Sequence, residues 1–144
     1  MTQCYVGVKI VTAWPEDRPA RPDGEGMVPG YAVKYEDGYI SWSPKDVFER
    51  AYLPMGPSND NKVTQEMVDV MMGLCSEQRL DPKTLLVTAE TLTGFRQYET
   101  SSCVDPANFD AAIGRECCLK RIKDTLWKCM GFVVQWGRFG LKQK

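Results

Sequence analysis

The chain has 144 residues, of which 43% are hydrophobic and 10% aromatic. This composition fits one globular domain, or one domain with a small module, and argues against disorder. The formal net charge of −1 points to no particular partner. The charge is unevenly spread, because residues 115–144 contain 8 Lys and Arg against 2 Asp and Glu, whereas residues 1–114 contain 10 against 17. A basic segment after an acidic body indicates either a surface for an acidic partner or neutralisation within the chain.

Composition excludes several classes of catalytic site. The chain has no histidine, so a Ser-His-Asp triad, a Cys-His pair, a histidine general base and a mixed Cys/His zinc site cannot form. Neither of the glycine-rich phosphate loops GxxxxGK[ST] and GxGxxG occurs. Acidic pairs are present, but nothing distinguishes them from ordinary surface acids. We therefore expect a protein that is not an enzyme, with no cofactor and no metal ion.

The cysteines and the lengths of the apolar segments indicate the cellular compartment. No Cys-x-x-Cys occurs, residues 1–11 have neither a charged leader nor a long apolar core, and no apolar run approaches 18 residues. We expect no signal peptide and no membrane span, and reduced cysteines that act as small buried apolar residues in the cytoplasm. The six cysteines are Cys4, Cys75, Cys103, Cys117, Cys118 and Cys129.

Residues 1–56 are predicted to form a module of strand, hairpin and helix. Alternating β-branched residues predict a strand over 4–14, and the proline content of 15–30 predicts a loop. Two short strands, 31–35 and 39–42, flank an Asp-Gly turn. Ser43 and Pro44 are the predicted N-cap and first residue of a helix with an apolar stripe, which Pro54 ends. The stripe consists of Val47, Phe48, Ala51 and Tyr52.

Residues 57–63 are polar and rich in turn formers, which predicts a linker. A second domain, 64–144, begins with a helix over 64–78 that Thr64 caps. Strands over 84–92 and 95–103 form a hairpin. The predicted apolar face of the helix contains Met67, Val70, Met71, Leu74 and Cys75.

A long helix is predicted to begin at Asp105 and Pro106, as N-cap and first helical residue, with Asn108 as an alternative cap. Gly131 is predicted to end it, and 132–136 to form a final strand. Its apolar arc contains Cys118, Leu119, Ile122, Leu126, Cys129, Met130 and Val133. The predicted fold class is α+β, with small antiparallel sheets packed against this C-terminal helix.

Four features of the sequence are candidates for contact with a partner. One is the proline-rich loop 15–29, which could become ordered on a partner or could be a plain connector. The hairpin aromatics could anchor a protein interface or pack onto the first helix. The basic helix face could bind nucleic acid or an acidic protein, or be solvated. Trp127 could stack on a base or pack against the hairpin. The hairpin aromatics are Tyr35, Tyr39 and Trp42, and the basic face is Arg115, Lys120, Arg121, Lys123 and Lys128.

Two parts of the chain carry motifs that resemble those of known protein families. The segments Leu92-Thr-Gly-Phe95 and Ser101-Ser-Cys-Val-Asp-Pro-Ala-Asn-Phe-Asp110, with Trp127 and Gly131-Phe132, resemble the Gp-forty-nine-like family of tailed-bacteriophage proteins over about residues 64–136. This chain has Cys117 and Cys118 where the family pattern has small alanines. The segment Gly38-Tyr-Ile-Ser-Trp-Ser-Pro-Lys-Asp-Val-Phe48 resembles a short module of phage accessory proteins. The resemblance implies a viral origin and no catalytic residues. Phage accessory genes often encode inhibitors of host systems, including anti-CRISPR and other anti-defence proteins.

The sequence leaves four functional hypotheses open. The leading one is a non-enzymatic phage protein in the host cytoplasm that binds and inhibits a host protein or protein–nucleic acid complex. The second is direct nucleic-acid binding by the basic face. The third is a sponge that sequesters a nucleotide immune signal between protomers, and the last and weakest is an unusual hydrolase. The oligomeric state stays open.

Overall fold

The computed structural model describes residues 1–57 and 60–143, which form two compact units. The first unit comprises Met1–Pro57 and Val134–Lys144, and the second comprises Ser58–Val133. Two residues of the predicted linker, Ser58 and Asn59, lie outside the described residues. The predicted division into 1–56 and 64–144 stays a prediction, although the last residues of the chain group here with the N-terminal unit.

The first unit is built on a three-stranded antiparallel sheet, with a two-stranded ladder in one of its connections. The strand order in the sheet is β1-β4-β5, and β2 pairs with β3. The elements are β1 (Thr12–Pro15), β2 (Arg18–Pro19), β3 (Met27–Val28), β4 (Gly30–Lys34), β5 (Ile40–Pro44) and α1 (Lys45–Ala51).

Two sequence predictions for this unit are wrong. Residues 4–11 belong to no strand. Val8 and Ile10 instead lie beside Gly137, where an added Cβ would come within 3.2 Å of Val8 and 3.0 Å of Ile10, so this apolar segment is used in packing on the last helix. The 15–30 segment is not a plain loop, because it contains the β2–β3 ladder, which the Ala20 N–H extends by donating to the carbonyl of Gly26 at 2.8 Å.

The predicted hairpin of β4 and β5 is confirmed, with Gly38 at a φ of 89° in its turn. The helix that follows differs from expectation. Ser43 lies in β5, and α1 begins after Pro44 without a side-chain cap. None of its residues is buried, so the predicted stripe does not form a core. Phe48 instead stacks on the rings of two tyrosines, at 4.3 Å from Tyr31 and 4.7 Å from Tyr52.

The second unit has a three-stranded antiparallel sheet in the order β6-β7-β8, covered by helices. Its elements are α2 (Gln65–Met72), β6 (Leu74–Asp81), β7 (Thr84–Glu90), β8 (Arg96–Ser102), a 3₁₀ turn (Pro106–Asn108) and α3 (Ala111–Phe139), whose last turns belong to the first unit. The predicted hairpin of β7 and β8 is confirmed, as is the alternation along β7 that buries Leu85, Val87 and Ala89.

Helix α2 is shorter than predicted. Thr64 caps it as expected, accepting a hydrogen bond from the N–H of Met67 at 3.3 Å. The helix ends at Gly73, whose φ of 64° is costly for any residue with a side chain. The chain then forms β6, so Leu74 and Cys75 are exposed strand residues. The predicted helical face is wrong there and at Val70, which is exposed, whereas Val68 and Met72 are buried beside Met67.

Helix α3 begins later and ends later than predicted. Asp110 is its cap, accepting from the N–H groups of Ala112 at 2.9 Å and Ile113 at 3.2 Å. Asp105 caps only the preceding 3₁₀ turn, so the predicted caps Asp105 and Asn108 are wrong. The helix passes through Gly131 to Phe139, and the strand predicted over 132–136 does not form. One glycine costs a helix about 1 kcal/mol, which a long helix tolerates.

The core of the second unit joins α2, β7 and α3, and the α+β class is confirmed. Four residues of the predicted α3 arc are buried, namely Cys118, Ile122, Leu126 and Met130, whereas Cys129 and Val133 are exposed. The core cluster consists of Val68, Met72, Leu85, Val87, Ala89, Cys118, Ile122 and Leu126. Within the described part of the chain, no helix combines the length and the apolar content that crossing a membrane requires.

Candidate functional site

A groove of about 560 Å³ runs along α3 in the second unit, and we call it the α3 groove. Four of the predicted contact residues, Arg115, Lys120, Lys123 and Trp127, lie together in it. Their spacing of three to five residues places them on one side of the helix. The lining residues are Gln65 of α2 and Ala112, Arg115, Glu116, Leu119, Lys120, Lys123, Asp124 and Trp127 of α3.

The apolar part of the groove is continuous with the core. Leu119 and Trp127 are both half-buried and pack against the core cluster of the second unit. Trp127 therefore has the packing role that was one of its two interpretations, and it also lines the groove. An aromatic ring fixed from behind by the core loses little conformational entropy when a partner covers its open side.

The cations of the groove are held by acids of the same unit. Arg115 forms two hydrogen bonds with the carboxylate of Glu77, both at 2.6 Å, and this contact lowers the pKa of Glu77. Lys120 pairs with Asp124 and Lys123 with Asp69, each at 3.1 Å. The pKa of Asp69 is lowered by the side-chain amide of Gln65 and then by Lys123. The rim therefore carries both signs of charge.

The other two residues of the basic face lie outside the groove. Arg121 donates to the carbonyl of Thr100 at 2.7 Å and to Glu99 at 3.3 Å, and so is directed onto β8. Lys128 is exposed, and no ion pair within the described residues includes it. Four of the five predicted cations are thus paired with acids of the same unit, which favours neutralisation within the chain as the reason for the uneven charge.

The hairpin aromatics of the first unit have separate roles. Trp42 is structural, because its indole N–H donates to the carbonyl of Glu16 at 2.6 Å and the guanidinium of Arg18 lies 5.6 Å from its ring. Tyr35 stacks against Tyr39 with 6.0 Å between the ring centroids. Tyr39 itself is 64% exposed. Tyr39 is therefore the most open of the three aromatic side chains, and contact of this group with a partner stays a prediction.

A second cavity, of about 670 Å³, lies in the first unit. It combines two cations with aromatic rings: the ammonium of Lys9 lies 5.3 Å from the ring of Tyr35, and Arg138 and Trp136 line it as well. Sequence reasoning missed this cavity because the segments over 4–14 and 132–136 were both assigned to strands. The lining residues are Val8, Lys9, Ile10, Tyr35, Glu36, Asp37, Trp136, Gly137, Arg138, Phe139 and Gly140.

The cysteines form no disulfide within the described residues. All six are free thiols, and only Cys118 is buried, so the expectation that cysteine serves as a small core residue holds for that one position. Burial raises the pKa of the Cys118 thiol. Among the residues described, no three His, Cys, Asp or Glu side chains lie close enough together to hold one metal ion.

The family assignment rests on a match that covers more than half of the chain. Residues 53–137 match the Phage protein (N4 Gp49/phage Sf6 gene 66) family. No curated protein and no solved structure matches the chain. The match includes the whole α3 groove and confirms the resemblance predicted for residues 64–136, while the resemblance of residues 38–48 to an accessory module stays a prediction. The chain is therefore a member of the Phage protein (N4 Gp49/phage Sf6 gene 66) family.

Proposed function

We propose that this phage protein is a non-enzymatic accessory protein that binds and inhibits a host macromolecular system in the host cytoplasm, with an antiviral defence complex as the target. The proposal is supported by membership of a phage family, by the lack of histidine and by the composition of the α3 groove. A protein of this kind acts by occupying a surface of its target, so its chemistry is that of an interface.

The observation that carries the proposal is the combination of a fixed aromatic floor with a rim of paired charges. Trp127 and Leu119 supply the apolar centre, and Arg115 with the two groove lysines supplies the rim. Aromatic side chains and arginine dominate the binding energy of protein interfaces, whereas charged rims set specificity and association rate. The partner that fits best is a protein segment with both apolar and charged groups.

Nucleic acid is the weaker partner for the basic face. Binding to phosphates is driven by free cations that release condensed counterions. Here Arg115, Arg121 and Lys123 already hold carboxylates of their own unit. A nucleic acid would have to displace these acids, which lowers its net gain. If this alternative were correct, binding would fall steeply with salt, and Lys120→Glu with Arg121→Glu would abolish it.

A nucleotide sponge is the second candidate, and the cavity of the first unit favours it. Cations neutralise phosphate groups, and aromatic rings stack on bases. Lys9 with Tyr35, and Arg138 with Trp136, bring both kinds of group to one cavity. Arg138 is paired there with Glu36 at 4.0 Å, which a phosphate would have to displace. This candidate still inhibits host defence, but by removing a signal rather than by blocking a protein.

Affinity capture from a host lysate tests the leading proposal. We expect the wild-type chain to recover a specific host protein, the double variant Glu116→Lys with Lys120→Glu to lose it, and Lys128→Glu to retain it. The two altered positions of the double variant line the groove, and Lys128 lies outside it on the same helix. Recovery of no specific protein, or equal recovery by all three chains, would sink the proposal. Small molecules released by heat from the purified chain, identified by mass spectrometry, would favour the sponge.

A further inference from the structure

The edge strand β6 differs from every other strand of its sheet in exposure. All eight of its residues are exposed, whereas β7 is half-buried and β8 alternates between partly covered and exposed positions. Among the strands of the described residues, it pairs with β7 alone. An edge strand leaves alternate N–H and carbonyl groups without ladder partners, and such an edge is a template for another strand.

The charges of β6 are complementary to those of a second β6 that runs in the opposite direction. Glu77 and Arg79 flank Gln78, and because they pair with Val87 and Leu85 they lie on the helix side of the sheet. In an antiparallel pair centred on Gln78, Glu77 of each strand lies opposite Arg79 of the other. Opposite charges in directly opposed positions stabilise a strand pair, and the arrangement is symmetric, as a two-fold interface requires.

Arg79 and Glu77 can each form a further hydrogen bond with a second copy of β6. Arg79 is held in place by its own chain, with Nη2 donating to the carbonyl of Pro82 at 2.6 Å and the guanidinium 3.9 Å from the ring of Phe109. Its Nη1 takes part in no hydrogen bond within the described residues. The carboxylate of Glu77 binds Arg115 through both oxygens, and each oxygen has a further lone pair. One carboxylate can therefore bridge two guanidinium groups.

Two leucine side chains near the ends of β6 are exposed. Leu74 is 82% exposed and Leu80 is 51% exposed, which is unusual for leucines of an edge strand in water. In the register centred on Gln78, the regular pairs run from Glu77 to Arg79. Leu80 comes opposite Ser76 at the end of this ladder, and Leu74 lies beyond it. The irregular pairing between Arg79 and Asp81 marks where the regular strand ends.

We propose that β6 pairs antiparallel with β6 of a second copy of the chain, with the two-fold axis at Gln78, and so joins two three-stranded sheets into one of six strands. This goes beyond the proposed binding of a host target and is independent of it, because a purified chain assembles in this way without any host component.

Two charge-reversal variants, Arg79→Glu and Glu77→Arg, test the proposal, first separately and then mixed. Sedimentation measures the molar mass, and circular dichroism checks that each variant is folded. We expect the wild-type chain to sediment as a dimer, with twice the 16.3 kDa mass of one chain. Arg79→Glu places two Glu–Glu pairs across the axis and Glu77→Arg places two Arg–Arg pairs, so each alone should weaken the dimer at least about tenfold. An equimolar mixture restores both opposite-charge pairs and should restore the dimer.

Three results would overturn the proposal: a monomeric wild-type chain, a dimer dissociation constant that does not rise in either single variant, or a mixture of folded variants that dimerises no more tightly than each variant alone. If a monomeric wild-type chain instead binds an extended host peptide and Arg79→Glu abolishes that binding, the edge serves another partner.

Should a charge variant fail to fold, oxidative cross-linking decides the question. Gln78→Cys should give a disulfide that joins the substituted position of one copy to the same position of the other, as identified by peptide mapping. Ser76→Cys should give no such disulfide, since its two copies are about 14 Å apart along the ladder. Absence of the disulfide in Gln78→Cys, or equal cross-linking at both positions, would also overturn the proposal.

Discussion

Arg115 and Glu77 form a two-bond ion pair that joins α3 to the edge strand β6, with Nε to Oε2 and Nη2 to Oε1 both at 2.6 Å. The same arginine lines the α3 groove. The pair therefore fixes one wall of the candidate binding site to the sheet, and both proposed interaction surfaces meet at this contact.

We expect Arg115→Gln to raise the pKa of Glu77 toward its ordinary value, because the hydrogen bond and the charge of Arg115 are what lower it. A carboxyl with a lowered pKa in the folded state contributes stability that is present above its unfolded pKa and is lost as pH falls through the folded pKa. The variant should therefore lose stability less steeply as the pH falls below the ordinary pKa of a glutamate. NMR titration of Glu77 measures the shift, and Lys128→Gln is the control that should leave it unchanged.

Trp42→Phe should loosen the chain segment that joins β1 to β4. The substitution removes the indole N–H that donates to the carbonyl of Glu16 and keeps most of the apolar ring. One such bond contributes about 1 kcal/mol, so amide hydrogen exchange over residues 16–28 should quicken several-fold. Trp14→Phe is the control, since the indole of Trp14 makes no hydrogen bond in the part of the chain that the structure describes. Equal exchange in both variants would refute the anchoring role.

Gly30→Ala should destabilise the first unit. An added Cβ would overlap the ring of Trp42 and lie 2.5 Å from the carbonyl oxygen of Ser43, and overpacking of this kind costs about 1–3 kcal/mol. Gly131→Ala is a matched control in a helix, where a Cβ meets nothing within 4 Å, and it should stabilise by about 0.5–1 kcal/mol. Urea denaturation compares the two, and a neutral Gly30→Ala would contradict the observed packing.

Ile122→Ala should remove a central contact of the second unit. The side chain is 1% exposed and belongs to the core cluster, so its truncation leaves a cavity and costs about 2–5 kcal/mol. Ile113 lies on the same helix but is 61% exposed, and Ile113→Ala should change stability by less than about 0.5 kcal/mol. Similar losses for the two variants in urea denaturation would show that α3 packs by another face.

Features governed by neighbouring residues could be predicted from the sequence. The Asp-Gly hairpin, the Thr64 cap, the alternation along β7 and the buried α3 face all follow from local patterns. The boundary between α2 and β6 was missed because apolar residues continue at helical spacing past Gly73, whose positive φ ends the helix. The extent of α3 was missed for the opposite reason, since Gly131 carries a stop signal that the surrounding helix overrides.

The candidate site was predictable only in part, for a physical reason. Residues on one helix face can be grouped by spacing, and three members of the predicted basic face, Arg115, Lys120 and Lys123, do line one groove. Arg121 and Lys128 of that face lie outside it, and Trp127, which was considered separately, lies in it. Their acidic partners could not be found in this way, because Glu77 is brought to Arg115 from 38 residues away by the tertiary fold. Without the partners, the face reads as free positive charge, which is why nucleic acid was a stronger candidate from the sequence than from the structure.

The most direct test of the central claim is a calorimetric titration of the captured host component with three purified chains: wild type, Lys120→Glu and Lys128→Glu. Both variants make the same charge change on α3, and only the first lies in the groove. We expect Lys120→Glu to weaken binding by on the order of tenfold or more and Lys128→Glu to leave the Kd unchanged within about twofold. Equal Kd values for all three chains would contradict the assignment of the α3 groove as the binding surface.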